Sequence, residues 1–164
     1  MTPAGSAARS GALGGERLSP LNDEAATSKL GAAVAAELVH GDVVALFGDL
    51  GAGKTTFARG VLRALGHGGV VPSPTFTLVQ HYEMPGISVA HFDLYRLGDV
   101  GELHELGLDD ARHDGTVLIE WPEIAAHALP SDRLEVHLEY AGVGRIARLA
   151  TFGSWVGRLA RLVA

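Results

Sequence analysis

The chain has 164 residues, 47% hydrophobic and 20% charged, which is enough to bury one core and too little for two independent domains. A net charge of −6 argues against a domain that grips nucleic acid unaided. The complete lack of cysteine excludes disulfides, thiolate nucleophiles and thiolate zinc sites together.

The elements follow in chain order. Residues 1–21 are mostly Gly, Ala, Ser and Pro and are expected to form a flexible tail, leaving residues 22–164 as a single domain. Asn22 or Asp23 is placed to cap a helix in which Ala26, Leu30, Ala33, Val34 and Leu38 recur, stopping at Gly41. Val43 to Phe47 is a continuous apolar run of the kind buried on both faces of a parallel sheet. A glycine-rich loop then leads into a helix from Thr55 to Leu65, closed by Gly66. Thr75 to Tyr82 and Ile87 to Phe92 predict a hairpin around Met84-Pro85-Gly86. Asp99 to Leu106 predicts a short capped helix, and Thr116 to Ile119 a buried strand that ends on Glu120. Leu134, Val136, Leu138 and Tyr140 alternate with Glu135, His137 and Glu139, which predicts a strand with one face in water. Ile146 to Thr151 is expected to pair with it, and Ser154 to Val163 to close the chain as a helix. These elements together predict an α/β sandwich with a mixed parallel and antiparallel sheet. Apolar stretches end well before the ~20 residues of a membrane span, and no apolar signal core opens the chain, so a cytoplasmic location without membrane contact is expected.

Gly48-Asp49-Leu50-Gly51-Ala52-Gly53-Lys54-Thr55 satisfies G-x-x-x-x-G-K-[ST] between a predicted buried strand and a predicted helix, the context a phosphate-binding loop requires. Small residues let successive backbone N–H groups converge on phosphate oxygens, and the helix N-terminus adds its dipole. Lys54 is the candidate for the β- and γ-phosphates and Thr55 for Mg²⁺. Lys29 and Lys54 are the two lysines in a chain otherwise using arginine, so a lysine here runs against its habit. The single asparagine, Asn22, lies upstream, so an Asn-Lys-x-Asp guanine reader is missing and ATP is the expected nucleotide.

Two carboxylates end apolar strands: Glu120 after Val117-Leu118-Ile119, and Asp93 after Val89-Ala90-His91-Phe92. Ligands collect at such strand ends in α/β sheets, and two acids suit two tasks, holding the metal and orienting the attacking water. Ser73 and Thr75, flanked by Pro72 and Pro74, are candidates for a segment that senses the terminal phosphate. Asp99, Glu102, Glu105, Asp109, Asp110 and Asp114 form an acidic stretch read as a solvated face or a docking surface, whereas Arg145, Arg148, Arg158 and Arg161 make the end of the chain basic.

GDLGAGKTTFARG, PSPTFTLV, HFDLYRL, ELGLDD and LIEWPE, in this order, resemble the TsaE family of P-loop ATPases in bacterial tRNA threonylcarbamoyladenosine synthesis. The resemblance covers about Asn22 to Ala150 and implies a P-loop fold with a mixed sheet. It further implies a Mg²⁺-dependent ATPase supporting the TsaB and TsaD proteins, which modify the adenosine beside the anticodon; the net charge of −6 separately leads to the expectation that tRNA is bound only by the assembly. By the same resemblance Thr27 lies near the adenine, and Leu50, Gly51, Ala52, Gly53, Lys54, Thr55 and Thr56 hold the phosphates. Thr55 and Glu120 bind Mg²⁺, Asp93 is needed for hydrolysis, and Trp121 and Arg145 lie near the nucleotide. Rival readings are a small-molecule kinase on the same fold and a nucleotide-gated interaction module with negligible turnover.

Overall fold

The runs Val43–Gly48 (β2) and Thr116–Glu120 (β5) pair in parallel at the centre of the sheet, where Val43 to Leu46 and Val117 to Ile119 are fully buried. The computed structural model describes residues 13–162. Its other elements are β1 (Leu13–Leu21), α1 (Glu24–Ala35), α2 (Lys54–Ala64), β3 (Val79–Met84), β4 (Ile87–Asp93), α3 (Val100–Glu105), α4 (Leu108–Asp114), β6 (Arg133–Ala141) and β7 (Gly144–Phe152). Two 3-10 segments, Pro122–Ala128 and Gly153–Leu162, complete the chain described. One seven-stranded sheet runs β1-β7-β6-β2-β5-β4-β3. The four strands β6, β2, β5 and β4 are mutually parallel, and β7, β1 and β3 extend them antiparallel at the two edges. The mixed α/β architecture is therefore as expected.

Each face of the sheet carries its own apolar layer. Leu30 and Val34 of α1, and Phe57, Val61 and Leu62 of α2, cover Val44, Leu46, Leu118, Val136 and Leu138. Leu103, Leu108, Ala111, Ala125 and Leu129 cover Val43, Ala45, Phe92, Val117 and Ile119 on the other face. Burying each Val, Leu, Ile or Phe among these contributes roughly 1.5–3 kcal/mol, so a strand sandwiched this way reads as an unbroken apolar run. The helices α1 and α2 approach closely at Gly60, where an added Cβ would stand 2.2 Å from the Ser28 carbonyl oxygen.

Several expectations change. Residues 13–21 are not a tail: β1 pairs with β7 along its whole length, its Leu21 is buried, and Arg148 of β7 reaches Glu16 at 2.9 Å. Residues 1–12 lie outside the described residues. Pro20 fits here because an edge strand leaves one row of donors unneeded. Helix α1 stops at Ala35 rather than near Gly41, with Asp23 as its cap, accepting from Ala26 N at 2.8 Å. Thr75 to Leu78 form a turn, so β3 begins only at Val79. The acidic stretch holds two helices, not one, and its acids serve them: Asp99 caps α3, and Asp109 and Asp110 lie in the first turn of α4, where the helix dipole favours negative charge.

The polar face of β6 is the largest departure. Arg133, Glu135 and His137 are at most 8% exposed. Arg133 Nε donates to Glu135 Oε1 at 2.9 Å, His137 Nε2 lies 2.8 Å from Glu135 Oε2, and the Phe47 ring stacks on His137 with centroids 4.2 Å apart. The closing segment is 3-10 rather than α-helical, and it is locked by Arg158. That guanidinium grips Asp42 at 2.7 and 2.9 Å, donates to the Glu37 carbonyl at 2.8 Å and lies 3.8 Å from the Trp155 ring centroid.

Removing one partner of such a buried pair strands the other charge, so Asp42→Ala is expected to lose about 3–5 kcal/mol in urea unfolding. Arg158→Ala should cost a similar amount, and the double variant less than the sum. Additive losses would show that the pair does not hold the C-terminal segment.

Candidate functional site

The loop from Gly48 to Thr55 carries the chain from the end of β2 to the start of α2. Gly51 (φ 79°) and Gly53 (φ 110°) adopt the left-handed backbone that glycine takes without strain. Gly53 is also the N-cap of α2 and offers no side chain to it, which leaves the first-turn N–H groups of α2 without a side-chain cap. Lys54 is buried, and its ammonium donates to the carbonyl oxygens of Gly48 and of Asp49, the latter at 3.0 Å. Burial lowers its pKa below the ordinary lysine value, while the carboxylates of Glu120, Glu123, Asp93 and Asp49 oppose that shift. Trp121 lies over the same ammonium, with 3.9 Å from Nζ to the ring centroid. It does so from a left-handed backbone (φ 57°), a conformation costing a non-glycine residue about 1–2 kcal/mol.

The two strand-end acids meet this loop because β4 and β5 are parallel neighbours whose register sets Asp93 opposite Glu120. Both are nearly buried, at 3% and 2% exposure. Thr55 Oγ1, at the start of α2, donates to the Glu120 carboxylate, 2.9 Å from Oε1 and 3.2 Å from Oε2. His91, two residues before Asp93 on β4, brings Nε2 to 2.6 Å from Glu120 Oε2. Asp93 has different partners. Its Oδ2 accepts from Thr75 Oγ1 at 3.0 Å and its Oδ1 from Tyr95 N at 2.9 Å, while Ser73 Oγ lies 2.8 Å from Thr75 Oγ1.

These groups line one cleft of about 310 Å³, formed by Leu50, Gly51, Gly53, Lys54, Thr55 and Thr56 of the loop together with Glu24, Ser73, Thr75, Asp93, Tyr95, Glu120 and Trp121. Ala52, in the same loop, is buried. Thr27 is buried behind it, its methyl 3.4 Å from where a Cβ on Gly53 would stand, and Glu24 of the same helix reaches the cleft instead. Arg145 braces the loop from outside, donating through Nη2 to the Gly51 carbonyl at 2.9 Å, next to Tyr140, whose hydroxyl donates to the Leu50 carbonyl at 3.0 Å. Glu24, His91, Tyr95 and Tyr140 were not foreseen. Only His91 had a signal, since its spacing from Asp93 on a strand places both on one face.

The arrangement offers oxygen donors beside a cation and a helix N-terminus. The hydroxyl and carboxylate of Thr55 and Glu120 are the hard ligands that suit Mg²⁺, and Lys54 with the uncapped first turn of α2 suits phosphate.

A protein-family model described as threonylcarbamoyl adenosine biosynthesis protein TsaE matches residues 21–147. The tRNA threonylcarbamoyladenosine biosynthesis protein TsaE of Rickettsia felis is 43% identical over 120 residues, covering 73% of this chain and 70% of that protein. The protein of the same name from Haemophilus influenzae is 48% identical over 99 residues, covering 60% of this chain and 63% of its own. The crystal structure of Bacillus subtilis YdiB superposes with a TM-score of 0.78 at 30% identity, over 91% of this chain and 93% of that one. The family model spans well over half of the sequence and includes every residue of the cleft, so the chain belongs to the TsaE family.

Proposed function

We propose that this chain is a Mg²⁺-dependent ATPase, cleaving ATP to ADP and phosphate in support of threonylcarbamoyl transfer to tRNA by the TsaB and TsaD proteins. The observation that carries the reading is the hydrogen bond from Thr55 to Glu120, which joins the start of α2 to the end of β5 beside Lys54. A glycine-rich turn of purely structural use has no need of a nearly buried carboxylate at that place.

Thr55 and Glu120 would hold the metal, and the loop from Leu50 to Thr56 the phosphates. Bound Mg²⁺ supplies charge neutralisation to the phosphate oxygens. Lys54 trades backbone carbonyls for anionic oxygens, an exchange favoured because its side chain is already buried. Asp93, fixed by Thr75 and the Tyr95 amide, is held to accept a proton from, or orient, a water at the mouth of the cleft. Ser73 and Thr75 tie the segment between α2 and β3 to that acid, which makes its position responsive to what occupies the cleft.

The dependence on partners rests on exposed side chains and the charge. Leu50, which lines the cleft, is 75% exposed, and Phe76, next in sequence to Thr75 of the cleft, is 80% exposed, apolar groups suited to being covered by protein. A chain of net charge −6 lacks the phosphate neutralisation that tRNA affinity requires, so tRNA is bound by the assembly and not by this chain alone. Among the described residues no helix is long and apolar enough to cross a membrane.

Lys54→Ala removes a charge-assisted bond worth about 1.5–3 kcal/mol and is expected to weaken ATP binding accordingly in calorimetry; unchanged affinity and turnover would remove the loop from the site. Glu120→Gln should raise the Mg²⁺ requirement, whereas Asp93→Asn should slow phosphate release with nucleotide binding kept, and the opposite pattern would exchange the two roles. Phosphate release, measured alone and then with TsaB and TsaD, should rise on their addition; tight, salt-sensitive tRNA binding by the isolated chain would overturn the charge argument.

A further inference from the structure

Glu120 is held from two sides, and the second holder is fully buried. His91 has 0% exposure, and its Nε2 stands 2.6 Å from Glu120 Oε2. Its other ring nitrogen, Nδ1, is buried without a hydrogen-bond partner among the described residues. A carboxylate oxygen accepts, so the hydrogen of this bond is carried by Nε2. Among the described residues the imidazole thus spends its hydrogen bonding on one oxygen of one carboxylate.

We propose that His91 is a positioning residue for the divalent cation: its Nε2–H holds the Glu120 carboxylate in the orientation that faces Thr55. The inference rests on the reading of Thr55 and Glu120 as the cation's ligands. A free glutamate side chain turns about three torsions, and orienting it on loading would cost rotamer entropy. Here that ordering is already present. Thr55 shares the task in this structure, but its oxygen is itself assigned to the cation, so His91 is the restraint that does not compete for it. The placement follows from the fold, because β4 lies next to β5 in parallel and His91 shares a strand face with Asp93. His91 thereby ties the strand carrying one acid to the side chain of the other.

The test is calorimetric titration of ATP at graded Mg²⁺, with the wild type, His91→Leu, His91→Gln and Glu120→Gln, and thermal unfolding of each variant without nucleotide. Loss of the partner that orients a metal ligand costs about 10–100-fold in metal affinity, so His91→Leu should raise the half-saturating Mg²⁺ concentration about tenfold or more. ATP binding without Mg²⁺ should be unchanged. Turnover of the variant should recover at high Mg²⁺, which a general loss of structure would not allow. Gln carries an amide nitrogen about as far along its side chain as Nε2, so His91→Gln should restore most of the affinity. If His91→Leu does not fold, His91→Asn, whose amide stops short of Oε2, takes its place against His91→Gln with the same ordering expected. Wild-type Mg²⁺ dependence in His91→Leu or His91→Asn, while Glu120→Gln is impaired, would overturn the role of His91 and leave the ligands standing. A wild type indifferent to Mg²⁺ would overturn the ligand reading and this inference together.

Discussion

The hydrogen bond between Thr55 and Glu120 spans 65 residues of sequence, and it exists only because β5 is the parallel neighbour of β2. Strand β2 launches the loop whose last residues open α2, so Thr55 stands above the end of β2, and the adjacent strand end must carry the acid. A carboxylate at 2% exposure is costly to leave unpaired. Thr55 and His91 together meet that cost, and the sandwich of two apolar layers holds both partners in register. A slip of one residue between β4 and β5 would turn His91 and Asp93 away from α2 and leave Glu120 with a single donor.

The same logic explains why the elements of this site were legible in the sequence. Val43 to Phe47 and Thr116 to Ile119 carry no polar residue after the opening threonine, which only a strand covered on both faces tolerates, and each ends where a glycine or acid takes over. The glycine-lysine-threonine spacing then dictates a loop geometry that few other residues permit. Asp93 and Glu120 were readable as strand ends. Their pairing was not, because strand order is a property of the sheet and leaves no mark on either segment alone.

Polarity misled where polar groups satisfied one another. On β6 the alternation of Leu134, Val136 and Leu138 with Glu135 and His137 is the pattern of a half-solvated strand, yet Arg133, Glu135 and His137 pair along one buried face. Residues i and i+2 of a strand share a face, so opposite charges at that spacing neutralise each other as readily as they face water. At β1 the error had the reverse cause. Leu-Gly-Gly-Glu-Arg-Leu-Ser-Pro-Leu has few apolar groups, but an edge strand draws its order from the ladder with β7, and Gly14 answers a close approach: an added Cβ would stand 1.9 Å from Val156. Composition carries no record of a partner 130 residues away.

The antiparallel half of the sheet has a part in the site that its distance from the chemistry conceals. Tyr140 and Arg145 lie opposite each other in the register of β6 and β7 and grip the carbonyls of Leu50 and Gly51. A peptide plane held by its carbonyl has its N–H direction settled as well, since the two point opposite ways across a trans bond. The β6 and β7 hairpin therefore orients amides of the loop that it never touches. That hairpin is in turn held by β1 along one edge and, at its far end, by the segment that Arg158 locks to Asp42. The loop's geometry thus depends on contacts reaching to the C-terminal segment.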